Sequence, residues 1–285
     1  MTSTPPNPPA RPRRPQLNLT VRSSHELSPS MVRVVLGIDE PERYEDIAPP
    51  EKYVKLVFLD PSVEGPLRAR GETPDYWELK ETLPGAQQPV TRHLTIRRWV
   101  PERHELWMDF VVHGDEGFAG PWAARAEPGD RIIALGPGGK WSPDPDAGWT
   151  LIAADDAAIP AALAVLEALP ANACGEVVLE VDSPRDVLDV PAPAGMAVHW
   201  VFRQDADDDV PALVRAVGEA GWPEATEDVQ VFAHGEREAM KALRRELFTR
   251  RGLERSQASL SGYWARGRTE DAFQAEKKLP IGQIL

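Results

Sequence analysis

A chain of 285 residues, 27% of them charged, with a formal net charge of −13 and a single cysteine at Cys174, already excludes several classes of protein. Its length exceeds one average domain and buries a real core, so one large or two moderate, water-soluble domains are expected. The acidic balance, with no dominant basic block, argues against a general nucleic-acid or anionic-membrane binder, because phosphate backbones and anionic headgroups reward clustered cations.

One thiol leaves no intrachain disulfide, thiolate-held cluster or all-cysteine zinc site. The six histidines lack an H-x-x-x-H spacing, so no protein-held metal is expected either. No apolar run nears the roughly 20 residues of a membrane span, and residues 1–15 lack the apolar stretch of a signal peptide. A reducing, cytoplasmic setting and a monomeric chain are the expectations.

Residues 1–16 are rich in proline and predict a disordered tail. Alternation at 17–22 and 31–36 predicts two strands around a polar break at 23–30, and 53–58 predicts a third. Between 61 and 88 the chain is polar and dotted with glycine and proline, which reads as a long irregular loop, a kind uncommon unless functional or disordered. Residues 89–98, Pro-Val-Thr-Arg-His-Leu-Thr-Ile-Arg-Arg, read as one extended strand. Arg92, Leu94, Ile96 and Arg98 then share one face and Thr91, His93, Thr95 and Arg97 the other, so side chains two apart can meet one ligand at fixed spacing.

The alternating segment 104–112 should pair with that strand. After it come His113, Gly114 and Gly117, then a helix start at Ala119, Gly120 and Trp122. Close glycines before a helix let backbone N–H groups face an anion, and a plain turn with a helix cap is the structural alternative. A strand at 132–135 follows. Gly138-Gly139-Lys140 is no phosphate loop, because Ala134 stands where its first glycine belongs and Trp141 replaces the Ser or Thr. Six or so short strands with one helix predict a closed antiparallel barrel, and 141–148 looks like a domain boundary.

From 149 onward the pattern changes. Buried-looking strands at 149–154, 176–181, 198–202 and 229–233 alternate with helices at 157–169, 211–220 and 236–250. This predicts a parallel sheet covered on both faces, with ligands beyond the strand C-terminal ends. Asp155, Asp156, Ala158, Gly235 and Glu236 occupy two such ends, and Arg203 a third. No G-x-G-x-x-G occurs, so a tight dinucleotide site is not predicted; a helix N-terminus receiving a transient nicotinamide nucleotide remains, with capping by Asp156 as the alternative. A last strand at 260–267 carries Tyr263 and Trp264, and 268–278 is an amphipathic helical pattern with Thr269 as N-cap.

Three segments carry a resemblance. Arg92-His93-Leu94-Thr95-Ile96-Arg97 resembles R-x-Y-T-x-R, residues 113–123 resemble H-G-x-x-G-P-A-S-x-W-A, and Ser261-Gly262-Tyr263-Trp264 resembles a terminal S-G-Y-W-x-x-G. In this order they are similar to the siderophore-interacting proteins, ferric-siderophore reductases with a ferredoxin-reductase-like flavin barrel, over nearly all of residues 18–285. Leu94 stands where the family has tyrosine, and Phe118 and Gly120 where it has proline and serine.

The resemblance implies a disordered tail (1–16), a six-stranded antiparallel FAD-binding barrel (17–145), an α/β parallel-sheet NAD(P)H-binding-like domain (146–267) and a C-terminal helical extension (268–285). It implies that Arg92 forks onto the cofactor pyrophosphate, that the segment at Thr95 offers the flavin ring a hydrogen bond, and that His93, Leu94 and Arg97 adjoin it. His113, Gly114, Ala119, Gly120 and Trp122 would cradle phosphate, and Tyr263 or Trp264 would lie against the ring. Arg97, Arg266, Lys277 and Lys278 are the candidates for an anionic ferric siderophore, and Asp155, Asp156, Ala158, Gly235 and Glu236 for the nucleotide.

The implied activity is FAD-dependent release of siderophore iron as Fe(II), with electrons from NAD(P)H or a ferredoxin and no catalytic acid, base or nucleophile. A siderophore- or flavin-binding module with little reductase activity and a free-flavin reductase are the alternatives.

Overall fold

The computed structural model describes residues 13–205 and 211–284, so most of the predicted tail lies outside the described residues. Seven strands form the first sheet: β1 (Gln16–Ser28), β2 (Met31–Ile38), β3 (Tyr53–Phe58), β4 (Val90–Thr95), β5 (Arg98–Val100), β6 (Glu105–Val111) and β7 (Arg131–Gly138). Their spatial order is β4-β3-β7-β1-β2-β6-β5. The two edge strands are consecutive in the chain, so the sheet curls until the chain itself bridges its edges. The handover is visible in the backbone, where Ile96 N donates to Lys52 O at 2.8 Å and Arg97 N to Trp107 O at 2.9 Å.

The seventh strand corrects the expectation of six. Residues 89–98 are two strands, because the chain changes pairing partner between Ile96 and Arg97. The polar segment 23–28 also continues β1, with register shifts at Val21/Ser23 and Glu26/Ser28; His25 and Glu26 face solvent while the backbone keeps pairing, and Ser28 is buried.

The predicted loop at 61–88 holds two helices, α1 (Pro61–Arg70) and α2 (Tyr76–Thr82). Several of its supposed breakers sit at helix ends, while Gly65 and Pro66 lie inside α1. Asp60 accepts from Ser62 N and Pro61 fills the first turn, while Gly71 at φ 66° closes α1 and Asp75 caps α2 through Glu78 N. Tyr76 then packs on Val57, Ile133 and Leu135 outside the barrel. Inside, Leu17, Leu19, Leu36, Leu56, Leu106, Met108 and Phe110 are essentially inaccessible. Each such side chain stabilises by about 1.5–3 kcal/mol over its exposed state. A short helix, α3 (Ala119–Ala124), follows β6.

The second sheet has β8 (Trp149–Asp155), β9 (Cys174–Val181), β10 (Gly195–Phe202), β11 (Val229–Glu236) and β12 (Ala258–Trp264), all parallel, in the order β10-β9-β8-β11-β12. Helix α4 (Ile159–Ala168) covers the face toward the barrel, and α5 (Ala212–Glu219) and α6 (Arg237–Arg244) cover the other. Strand order turns between β8 and β11, so their carboxyl ends open where such sheets take ligands. The exposed Cys174 starts β9, at the end of the sheet opposite those carboxyl ends.

Helix α7 (Glu270–Glu276) returns the chain to the barrel. Met31 of β2 packs with Ile152 and α4, and Ser30 Oγ donates to Asp186 Oδ1 at 2.6 Å, so the two sheets share a common seam.

Candidate functional site at the seam of the two sheets

Strand β4 places Arg92 at the barrel rim, 9% exposed, with its guanidinium 4.9 Å from the Phe118 ring centroid. The first turn of α7 meets it. Arg92 Nη1 and Nη2 donate to the two carboxylate oxygens of Asp271 at 3.3 and 3.2 Å. Glu270 accepts from His93 N at 3.3 Å and lies 3.1 Å from His93 Nδ1. A forked guanidinium holding a carboxylate is chemistry equally suited to a phosphate.

Phe118 stacks toward Phe58 at 5.9 Å, and Phe58 meets Trp122 at 6.4 Å. These rings wall part of a cavity of about 450 Å³ between α1 and the barrel, whose lining also carries Arg68, Arg125 and Arg131 together with Asp39, Glu64 and Glu72; Arg92 reaches it only through the outer face of Phe118. His113 and Gly114 are exposed, with Gly114 and Gly117 in the left-handed region at φ 58° and 84°. Gly120 has a steric reason: a Cβ there would lie 2.9 Å from Val111 O, where α3 crosses the end of β6. Aromatic walls beside a buried guanidinium fit a flat heteroaromatic group carrying phosphate, so the residues present fit FAD.

On the seam, Thr95 is buried and faces the Tyr263 hydroxyl, whose ionisation burial pushes up. Tyr263 lies 5.1 Å from His234, which stacks on Phe232 at 3.9 Å, and Phe232 meets Trp141 at 5.3 Å. His234 Nε2 is 2.9 Å from Ser259 Oγ, while its buried Nδ1 has no hydrogen-bond partner among the described residues. Burial first and Lys277 second push His234 down to about 3, so the ring is neutral. Leu94 packs on the barrel core, opposite Val54.

At the sheet end, Asp155 is 1% exposed and its carboxylate spans three strands, accepting from Glu236 N and Trp264 Nε1 at 2.7 Å each. Burial, then repulsion from Asp156, push this carboxyl up to about 7 against those hydrogen bonds. Asp156 accepts from Ala157 N at 2.9 Å and from Arg203 at 3.1 Å. Ala158 sits at the N-cap of α4, Glu236 caps α6, and Gly235 lies against Asp155.

The four cations considered for a siderophore differ in partners and exposure. Arg97 is buried and forked onto Glu167 of α4 at 3.0 and 2.5 Å, with Arg98 on the same carboxylate. Arg266 N donates to Glu236 Oε1 at 3.1 Å while its side chain is exposed, Lys277 Nζ lies 4.6 Å over Phe273, and Lys278 is exposed. Sequence reasoning missed Asp271, Glu270 and Glu167 as partners. The acidic first turn after Thr269 is legible as helix-end chemistry, but which arginine it meets is a tertiary fact.

Family comparison adds to this geometry. Residues 20–141 match the model described as siderophore-interacting FAD-binding domain, and residues 147–267 the one described as siderophore-interacting protein. An uncharacterised protein of Mycobacterium tuberculosis is 40% identical over 275 residues, 93% of this chain and 95% of its own length. The ferric vibriobactin reductase of Vibrio cholerae is 36% identical over 199 residues, 69% of this chain and 72% of its own. A siderophore-interacting protein from Aeromonas hydrophila superposes with a TM-score of 0.74 at 28% identity, over 94% of this chain and 98% of its own. With both descriptions matched in order along most of its length, the chain belongs to the siderophore-interacting protein family, and its barrel is the FAD-binding domain.

Proposed function

We propose that this chain is an FAD-dependent ferric-siderophore reductase that frees iron as Fe(II) in the cytoplasm, with electrons from NAD(P)H or a ferredoxin. The observation that carries the reading is the barrel rim, where buried Arg92 lies over the ring of Phe118, on the strand that also presents Thr95 to Tyr263. The name of the Vibrio cholerae relative supports the same chemistry. Bound FAD supplies the conversion of paired electrons into the single electrons that Fe(III) accepts.

The chain's own part is to hold and to shield. Arg92 forks onto the pyrophosphate in place of Asp271, with His93, Leu94, Thr95 and Arg97 setting the strand around it. The turn from His113 and Gly114 to Ala119, Gly120 and Trp122 closes over the phosphates. Tyr263 and Trp264 exclude water from the ring. Asp155, Asp156, Ala158, Gly235 and Glu236 border the sheet end that a nicotinamide donor would approach. Arg266, Lys277 and Lys278 offset the charge of an anionic chelate. Hard oxygen ligands hold Fe(III) better than Fe(II), so one electron loosens the metal without a protein acid or base.

The test is anaerobic: light-reduced, flavin-loaded protein is mixed with a ferric catecholate and a ferrous trap. Return of the oxidised flavin band together with the trap colour is expected. Flavin absorbance that does not change removes the assignment.

A further inference from the structure

We propose that Arg14 makes the flavin easier to reduce by holding an unmatched positive charge, fixed by Tyr53, at the ring end of the barrel. This rests on the reading that the flavin ring lies beside Thr95, and it adds a residue that none of the flavin motifs contains. Arg13 and Arg14 come from the proline-rich segment before β1, yet both sit on the barrel. Pro15 keeps Arg14 extended, and Pro15 O accepts from Gly136 N at 3.2 Å. Arg13 meets Glu81 at 2.6 Å, with its guanidinium 5.2 Å from the Trp77 ring centroid. Arg14 lies on Tyr53: Nη2 donates to the Tyr53 hydroxyl at 3.0 Å, and the guanidinium stands 5.1 Å from the ring centroid.

Tyr53 is the register partner of Thr95 on β4 and of Gly138 on β7. Its ring is 5.4 Å from His93, and it lies close enough to Tyr263 to act on that hydroxyl's ionisation. Arg14 therefore stands at the same end of the barrel as Thr95 and Tyr263. Gly138 makes the room, since a Cβ there would lie 2.9 Å from both Arg14 Nη1 and Tyr53 Cζ.

Arg14 differs from the cations near it in having no counter-charge. Arg92, Arg97 and Lys52 face Asp271, Glu167 and Asp46 at 3.2, 2.5 and 2.6 Å. Arg14 has no carboxylate at ion-pair distance among the described residues, and its buried Nη1 has no hydrogen-bond partner there. A shielded, unmatched guanidinium lowers stability, so folding does not account for it. A positive charge favours whichever state of its neighbour is the more negative. Two electrons and one proton reduce the flavin ring and add one negative charge, so Arg14 favours the reduced form. With Nη1 enclosed, the effect reaches the ring as a field, which makes Arg14 a positioning residue. A flavin held at a higher potential is easier to load with electrons and reduces fewer chelates, so the same charge narrows the substrates to those whose iron is more readily reduced.

The experiment uses the full-length, FAD-loaded protein and measures its midpoint potential by stepwise photoreduction against a reference dye without oxygen. Arg14→Gln is expected to lower the two-electron potential by about 30 mV, a tenfold change in the reduced-to-oxidised ratio. Arg14→Lys, which keeps the charge, is expected to lose less than half of that. A parent-like potential in Arg14→Gln overturns the proposal, and so does an equal drop in Arg14→Lys, which assigns the effect to packing. If Arg14→Gln does not load FAD, Tyr53→Phe, which unfastens the guanidinium, is read in its place; a lowered potential is expected and a parent-like one overturns the proposal. Thr95→Val tests the ring placement separately. A shifted visible flavin band is expected, and an unchanged band removes the placement and the proposal with it. Iron release from photoreduced parent protein reports on the reductase reading alone.

Discussion

Two buried titratable side chains work against each other at the seam. Between about pH 4 and 7 the folded Asp155 keeps a proton that the unfolded chain releases, so Asp155 makes stability fall as pH rises. Between about pH 3 and 6.5 the unfolded His234 binds a proton that the folded ring refuses, so His234 makes stability rise over nearly the same window. Each slope amounts to a few kcal/mol at most, and in the parent they largely cancel. Asp155→Asn should therefore leave a protein whose urea midpoint climbs from pH 4 to 6.5, and His234→Gln one whose midpoint drops. Equal slopes in parent and both variants would refute the pairing. For the cofactor, Arg92→Lys exchanges a fork for a point charge and should weaken FAD binding about tenfold, while Asp271→Asn should tighten it, both read by flavin fluorescence. Unchanged affinity in both variants removes the assigned role of Arg92.

Among elements, the approach of α3 to β6 is the tightest constraint near the cradle. Gly120→Ala forces its Cβ toward Val111 O and should cost about 1–3 kcal/mol, seen as a lower melting temperature with FAD bound. A parent-like melting temperature would mean that α3 shifts freely. How far each element is legible follows the same physics. Strands β3, β6, β8 and β11 are readable because alternation or an unbroken apolar run records which faces are buried. Helices α1 and α2 are not, because Pro61 and Gly71 look like breakers until their places at a first turn and a left-handed cap are known. The split of 89–98 into β4 and β5 is equally hidden, since a change of pairing partner leaves the side-chain pattern intact. In the site, Arg92, Thr95 and Tyr263 are legible from short motifs. The carboxylate partners of Arg92 and Arg97 arrive from 179 and 70 residues away along the chain, separations that no local pattern encodes.

For the molecule as a whole, the barrel and the sheet are joined through charge as well as apolar packing. Arg97 has a side chain only 6% exposed and meets the 28%-exposed Glu167, whose carboxyl stays below its usual range because Arg97 and Arg98 outweigh its burial. Glu167→Gln leaves that guanidinium without its charge partner and should lower stability by about 2 kcal/mol, less than the ~3–5 of a fully enclosed pair. Calorimetry would show an earlier transition, and a transition at the parent temperature would mean that packing of Met31 against α4 alone holds the seam. The molecule's lone thiol also has a practical consequence. Cys174 begins β9, roughly 23 Å along the strand from its carboxyl end, and faces solvent. A blue-emitting maleimide dye fixed there falls within Förster range of a yellow chromophore, so loading, loss and tilting of the prosthetic group can be followed in one cuvette.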